Sequence, residues 1–373
     1  MSAAAFDAAL ARERRRPSRA GWGAAALALC GLFFLISLRD GPVPLLLALA
    51  LSVAPVPLLL VLVLALDRLE PEPTRNLSLA FVWGATGAVI VAGIVNTIGL
   101  SVSSVLLGPN GGTSVYITLG APVVEETLKA AVLISFLVRR CQELDGPTDG
   151  IIYACMVGLG FALSENVTYY MAALLREGPG GLALTFVLRG VVSPLLHPLF
   201  TSMTGIALGW AALLHSRAAR VLLPAAGLCG AILLHALWNG SASIGLGALV
   251  LVYALVMAPA LAAVVLVTQT DRRRILRLVQ RLLPQVTPEG LVTWRDLEML
   301  SSLDRRQSAR RSVRRARGPT AARALGVYQH AATELALAYD RLERGVADER
   351  WVQHRREVLL PIMDTSHRAF SLA

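Results

Sequence analysis

One lysine occurs in this chain, Lys129, against 34 arginines. It ends the run Ala121-Pro122-Val123-Val124-Glu125-Glu126-Thr127-Leu128-Lys129, an apolar stretch with two adjacent acids just before the base. On insertion scales an ionisable side chain at a bilayer centre costs roughly 2.5–3.5 kcal/mol, so three within one helical turn mark a functional site. Glu125 and Lys129 are four residues apart and share a helix face, while Glu126 points about 100° away. Three more polar groups lie in apolar stretches: Phe161-x-x-x-Glu165-Asn166, His197-x-x-x-Thr201 and His235-Ala236-Leu237-Trp238-Asn239. Residues at i and i+4 project from one helix face, so each group can be aimed at a common point.

Carboxylates, imidazoles and an asparagine suit hydrolysis of an amide away from bulk water. That reaction needs a confined water, a base to take its proton and donors for the oxyanion. Glu125 or Glu126 supplies the base, and histidine and asparagine side chains supply donors. Histidine with glutamate can also hold a zinc-type ion that acidifies its water. No H-E-x-x-H is present, the strongest zinc-protease signal. Each group has a plainer reading: a lone buried histidine as a packing donor, Glu125/Lys129 as a structural ion pair, Asn96 and Thr97 as interhelical glue. A reading from another class is a transporter that uses the polar set to bind an ion or solute. The absence of a visible inverted repeat of the spans weighs against it.

Helices in a bilayer must position these groups. The chain has 373 residues, 55% of them hydrophobic, with mean hydropathy +0.60. Its apolar residues come in blocks long enough to cross a hydrocarbon core, which takes roughly 20 residues. The expected fold is all-α, a polytopic membrane bundle of about eight transmembrane helices with a small helical cytoplasmic C-terminal tail. The spans fall near 20–38, 43–66, 78–107, 115–138, 150–175, 182–214, 221–238 and 245–268. The first is an uncleaved helix and not a signal peptide. Arginines alternate between connecting segments so as to place both termini in the cytoplasm. Counting along straight helices from the inner ends puts Glu125, Glu165, His197 and His235 in the outer half. The sixth span holds Arg189, Pro194, His197 and Pro198 and is expected to be broken; in a single tilted helix, Arg189 would snorkel to the outer interface.

Residues 271–373 carry 20 arginines against 12 acids. No recognition motif accompanies them, so nucleic acid is not an expected partner. Leu325, Tyr328, Ala332, Leu335, Tyr339 and Leu342 recur at helical spacing. Thr287-Pro288-Glu289 reads as a helix start, and Asp304 to Arg317 as a mobile linker. Cys30, Cys141, Cys155 and Cys229 form no C-x-x-C pair and read as packing residues.

Taken together, Glu125-Glu126-x-x-Lys129, Gly158-Leu159-Gly160-Phe161-x-x-x-Glu165-Asn166, His197-Pro198-Leu199-Phe200-Thr201 and His235-Ala236-Leu237-Trp238-Asn239 resemble the PrsW family of intramembrane proteases. That family is related to the CAAX-protease and bacteriocin-processing superfamily. Asp67-Arg68-Leu69-Glu70-Pro71-Glu72-Pro73 also resembles the segment leading into the family core. The resemblance implies an organisation of 1–19 basic N-terminus, 20–66 two accessory helices, 67–268 protease core and 271–373 basic tail. It implies an integral protein of a bacterial cell membrane that cleaves a membrane-anchored protein, an anti-sigma factor in members studied for function. Its site would comprise Glu125, Glu126, Lys129, Glu165, Asn166, His197, His235 and Asn239. If the reaction uses a divalent metal such as zinc, Glu165, His197 and His235 would hold it. The lysine and the His-Trp-Asn ending favour this branch over a CAAX-type prenyl-protein peptidase.

Overall fold

The computed structural model describes residues 41–66, 69–139 and 144–371. The expected span at 20–38, the basic N-terminus, Asp67, Arg68, Cys30 and Cys141 lie outside them. The described chain is helical without strands and divides into two compact units, one ending at Arg272 and one running from Arg273 to Ala373.

In the first unit, α1 is Pro42–Leu64 and α2 is Thr74–Leu107, interrupted by a π-helical turn at Gly84–Ala88. A short helix Pro109–Val115 and a π turn Tyr116–Gly120 lead into α3, Ala121–Arg139. Then come α4, Pro147–Phe186, α5, Leu196–Ala212, α6, Arg217–Ile244, and α7, Leu246–Val286, whose residues from Arg273 on belong to the second unit. Among the described residues, five helical stretches are long and apolar enough to cross a membrane: Pro42–Leu64, Thr74–Leu107, Pro147–Ala212, Arg217–Ile244 and Leu246–Val286. The third holds both of the expected spans 150–175 and 182–214. The expected span at 115–138 is not among the five; it carries the charges of Glu125, Glu126 and Lys129. Large apolar side chains such as Val43, Val61, Val105, Leu222 and Leu255 are exposed. This is the pattern of helices whose outer faces meet lipid.

The chain turns back on itself between α4 and α5. Gly178 takes φ 73°, a left-handed conformation open to glycine, and Pro179 follows it. Residues Val187–Val192 are π-helical, and Ser193 (φ −123°, ψ 33°) leaves the helix altogether. The broken sixth span is therefore present, its break lying at 193–195, directly before His197.

Beyond that reversal α4 and α5 run antiparallel with their backbones in contact. A Cβ at Gly150 would lie 1.9 Å from the Gly205 carbonyl oxygen, and one at Gly158 2.5 Å from Pro198 N. On the other side of α4, a Cβ at Gly160 would lie 2.1 Å from the Phe81 oxygen of α2. Without a hydrophobic drive between helices in lipid, such close approach supplies the association energy, and glycine permits it. Residues 147–162 of α4 are all buried, so this helix is the centre of the bundle and shows no polar face. Gly158→Val is expected to destabilise by about 1–3 kcal/mol, as overpacking does, read as a lower thermal midpoint in detergent. Gly93→Ala, where no atom lies within 4 Å of the new Cβ, should leave the midpoint unchanged.

The second unit holds α8, Trp294–Leu300, α9, Leu303–Glu343, and α10, Glu349–Ser371. Leu325, Tyr328, Ala332 and Leu335 of α9 are buried, as are Val352, Leu359 and Met363 of α10. Two expectations are corrected here. Thr287-Pro288-Glu289 starts no helix: the Thr287 hydroxyl donates back to the Leu283 carbonyl (2.7 Å). The start falls at Thr293, whose capping box with Asp296 satisfies the first-turn amides. Asp304 to Arg317 is a helix and no linker. Arginine, glutamine and alanine are good helix formers, and Arg306 is buried, donating to the Leu300 carbonyl (3.0 Å) and Thr333 Oγ1 (2.9 Å).

Candidate active site

α3 carries Glu125, Glu126 and Lys129 into the middle of the first unit. Lys129 has no solvent exposure. Its Nζ lies 2.8 Å from Glu126 Oε1, 3.6 Å from Glu125 Oε2 and 3.8 Å from the centre of the Phe161 ring. It also donates to His197 Nδ1 at 3.0 Å. Trp83 Nε1 donates to the Leu128 carbonyl (2.9 Å) and fastens α3 to α2. Gly227 of α6 packs against Met203 and Ala207 of α5. That contact stacks the His235 ring on Phe200 at 4.7 Å and sets it edge-on to His197 at 5.3 Å.

The two adjacent acids have different work. Glu126 is fully engaged: Oε1 accepts from Lys129 and from His235 Nδ1 (3.0 Å), and Oε2 accepts from Thr201 Oγ1 (3.0 Å). Glu125 accepts from the Asn96 amide through Oε1 (3.3 Å), and its Oε2 has no hydrogen-bond partner. That oxygen lies 3.9 Å from His235 Nε2. An ionised Glu126 only accepts, so the His235 proton is on Nδ1 and Nε2 carries a lone pair. Glu125 Oε2, which has the Lys129 ammonium at 3.6 Å but no hydrogen bond, therefore faces the Nε2 lone pair of a neutral His235.

Glu165 of α4 accepts from His197 Nε2 at 2.8 Å and forms an ion pair with Arg189. Arg189 Nε also donates to Asn166 Oδ1 (2.7 Å), and its guanidinium lies over the Tyr169 ring at 3.8 Å. Asn239 donates to the Ile117 carbonyl (3.0 Å), one turn away from His235. Glu125, Glu165, Arg189, His197, His235 and Asn239 all line one cavity of about 860 Å³, whereas Glu126 and Lys129 do not reach its wall. The cavity sits toward the ends of the helices marked by the turns at Gly108, Gly178 and Gly245.

All eight residues singled out by their spacing thus gather in one region, six around the Glu125–Glu126–Lys129 turn and Asn166 and Asn239 at its margins. Arg189 and Asn96 join them. Arg189 points into the cavity. A lone arginine inside an apolar span was the available signal for it; Asn96 offered none beyond being polar in a helix.

Two imidazoles and a carboxylate suit a catalytic zinc site. Among the described residues, the set of three such groups whose ligand atoms all lie within 4.8 Å of one another is Glu125, His197 and His235. Glu125 stands there where Glu165 was expected. The unpartnered Glu125 Oε2 and the bare His235 Nε2 fit such a role, and Glu126 behind His235 is the carboxylate that orients a ligating imidazole. His197 would have to release one of its two partners to take part.

Residues 72–264 match the PrsW family intramembrane metalloprotease. The chain belongs to this family. It is 34% identical over 91 residues to Protease PrsW of Geobacillus kaustophilus (strain HTA426), an alignment covering 24% of this chain and 36% of the relative. The chain thus spans about a third of the length of that curated relative. No solved structure matches. The four groups at Glu125, Glu165, His197 and His235 all fall inside the match to the PrsW family, and the helical, apolar first unit is that of an integral membrane protein.

Proposed function

We propose that the protein is an intramembrane endopeptidase that hydrolyses a peptide bond of a membrane-anchored protein, and that Glu125 is its base. The observation that carries this is Glu125 Oε2, without a hydrogen-bond partner, beside His235 Nε2 on the wall of a cavity lined by the apolar helices. A water between these acceptors must give protons to them, which turns its lone pairs toward the scissile carbonyl. Glu125 takes the proton as the carbon is attacked. Glu125 then returns that proton to the leaving amine, while His235, its ring held by Glu126, keeps the water oriented. Asn239 at the rim offers an amide to the developing oxyanion. Where a divalent metal, zinc by the donor set, is held by Glu125, His197 and His235, it would supply a Lewis acid for the carbonyl and acidify the attacking water, and Glu125 would serve as its ligand in place of the base.

The substrate class that family resemblance suggests is a membrane-anchored anti-sigma factor. With eight spans and both termini in the cytoplasm, the cavity opens toward the outer half of a bacterial membrane. Substrate then arrives laterally or from outside, and the basic tail acts as an anchor or regulator. Metal analysis of the purified protein beside a cleavage assay on a membrane-anchored reporter tests the reading. About one divalent metal per chain, and cleavage lost to chelator and restored by zinc, is the expected result. Full cleavage by metal-free protein would remove the metal from the account. Folded protein that cuts no membrane-anchored reporter would remove the peptidase.

A further inference from the structure

We propose that Arg189 is a positioning residue for His197 and acts through Glu165, an inference that rests on the peptidase reading only for its kinetic consequence. Glu165 is shared. Its Oε2 accepts both from His197 Nε2 at 2.8 Å and from the Arg189 guanidinium. Arg189 is itself fixed by Asn166 Oδ1 (2.7 Å) and the face of Tyr169 (3.8 Å). Both of those residues sit within four positions of Glu165 on α4, so the arginine is aligned by the same helix that presents the carboxylate.

The backbone explains how Arg189 gets there. It lies in the π-helical stretch Val187–Val192, immediately before the break that starts α5 and presents His197. A π turn inserts a residue and rotates the next stretch of helix, and such turns recur at functional sites. The side chain is 24% exposed, and that exposure opens on the cavity that Glu125 and His235 also line. A guanidinium keeps its charge and presents a planar fork. Glu165 therefore retains an ionic partner whether or not it holds His197. With Lys129 donating to Nδ1 and Glu165 accepting from Nε2, the His197 ring is pinned at both nitrogens. Arg189 keeps the second pin in place, and it also gives Glu165 somewhere to rest when His197 lets go.

The experiment compares wild type, Arg189→Met, Arg189→Lys, Glu165→Gln and the Arg189→Met/Glu165→Gln double variant, all as full chains in detergent. Two quantities are read: carbethoxylation of His197 by diethyl pyrocarbonate, mapped by mass spectrometry, and kcat and KM on a membrane-anchored reporter. In Arg189→Met, His197 should be modified severalfold faster. Its kcat should fall about 10–100-fold, as on losing an outer partner of a site histidine, with KM little changed. Arg189→Lys should recover most of both, since an ammonium still pairs with Glu165. In the Glu165→Gln background the arginine change should add nothing further, because the two residues act as one unit. An unchanged His197 modification rate in Arg189→Met, or independent effects that multiply in the double variant, overturns the proposal. If Arg189→Met does not accumulate, Arg189→Gln, which keeps a donor for Asn166 but no charge for Glu165, is judged by the same outcomes. Wild-type protein without cleavage would defeat the peptidase reading while leaving the modification rates to decide on Arg189.

Discussion

Glu125→Gln is expected to abolish cleavage while leaving the protein folded and inserted. Removing a positioned general base lowers turnover by about 10²–10⁴-fold, and here the change touches the one buried carboxylate oxygen among the described residues that has no hydrogen-bond partner. Glutamine has the shape of glutamate and can still accept from Asn96 through its carbonyl, so the packing around α3 has no reason to change. Glu126→Gln should behave differently. It replaces an oxygen that accepts from Lys129, His235 or Thr201 with a donor, so thermal stability and activity should fall together. Cleavage of a reporter and melting temperature in detergent separate the two cases. A Glu125→Gln protein with wild-type turnover would show that the assignment of the base is wrong.

The second large effect is expected at Lys129. It is fully buried, with two carboxylates, an imidazole and the Phe161 ring around its ammonium group. Lys129→Met keeps the volume and removes the charge. Breaking a buried ion pair from one side costs about 3–5 kcal/mol, because the remaining charge is left without compensation. Here two carboxylates would be stranded on one helical turn. The expected result is a large drop in the thermal midpoint or a failure to accumulate in the membrane. Lys129→Met/Glu126→Gln, which removes a charge of each sign, should recover part of that loss. If Lys129→Met melts like wild type, the ammonium group is not what holds this turn together.

Much of this was readable along the chain. Helix type and extent came from apolar blocks, because a segment in lipid must satisfy its own backbone and does so as a helix. The break before His197 was legible in Pro194 and Pro198, since proline lacks the donor a helix interior needs. The polar groups stood out for the same reason that they are costly: nothing in an apolar span excuses an unpaired ion. The arginine-rich stretch from Asp304 to Arg317 misled, because its charge suggested solvation while its residues favour a helix and Arg306 finds Thr333 and Leu300 from which to gain hydrogen bonds.

What the sequence by itself determined is therefore the inventory: an all-helical membrane chain, the family, and the acids, imidazoles and lysine that meet at its centre. Period and hydropathy are local, and so they report which side chains share a helix face. The tertiary structure decided how those groups divide the chemistry. Glu125 and Glu126 are neighbours with the same side chain, and only the packing of α5 and α6 gives Thr201 and His235 to one and leaves an oxygen of the other without a hydrogen bond. Arg189 became a partner of Glu165 only because α4 folds back through a left-handed glycine and a π turn. Hydrogen bonds across about 20 to 100 positions of chain depend on where helices cross, and that crossing is set by glycine contacts such as Gly158 with Pro198 that no local pattern announces.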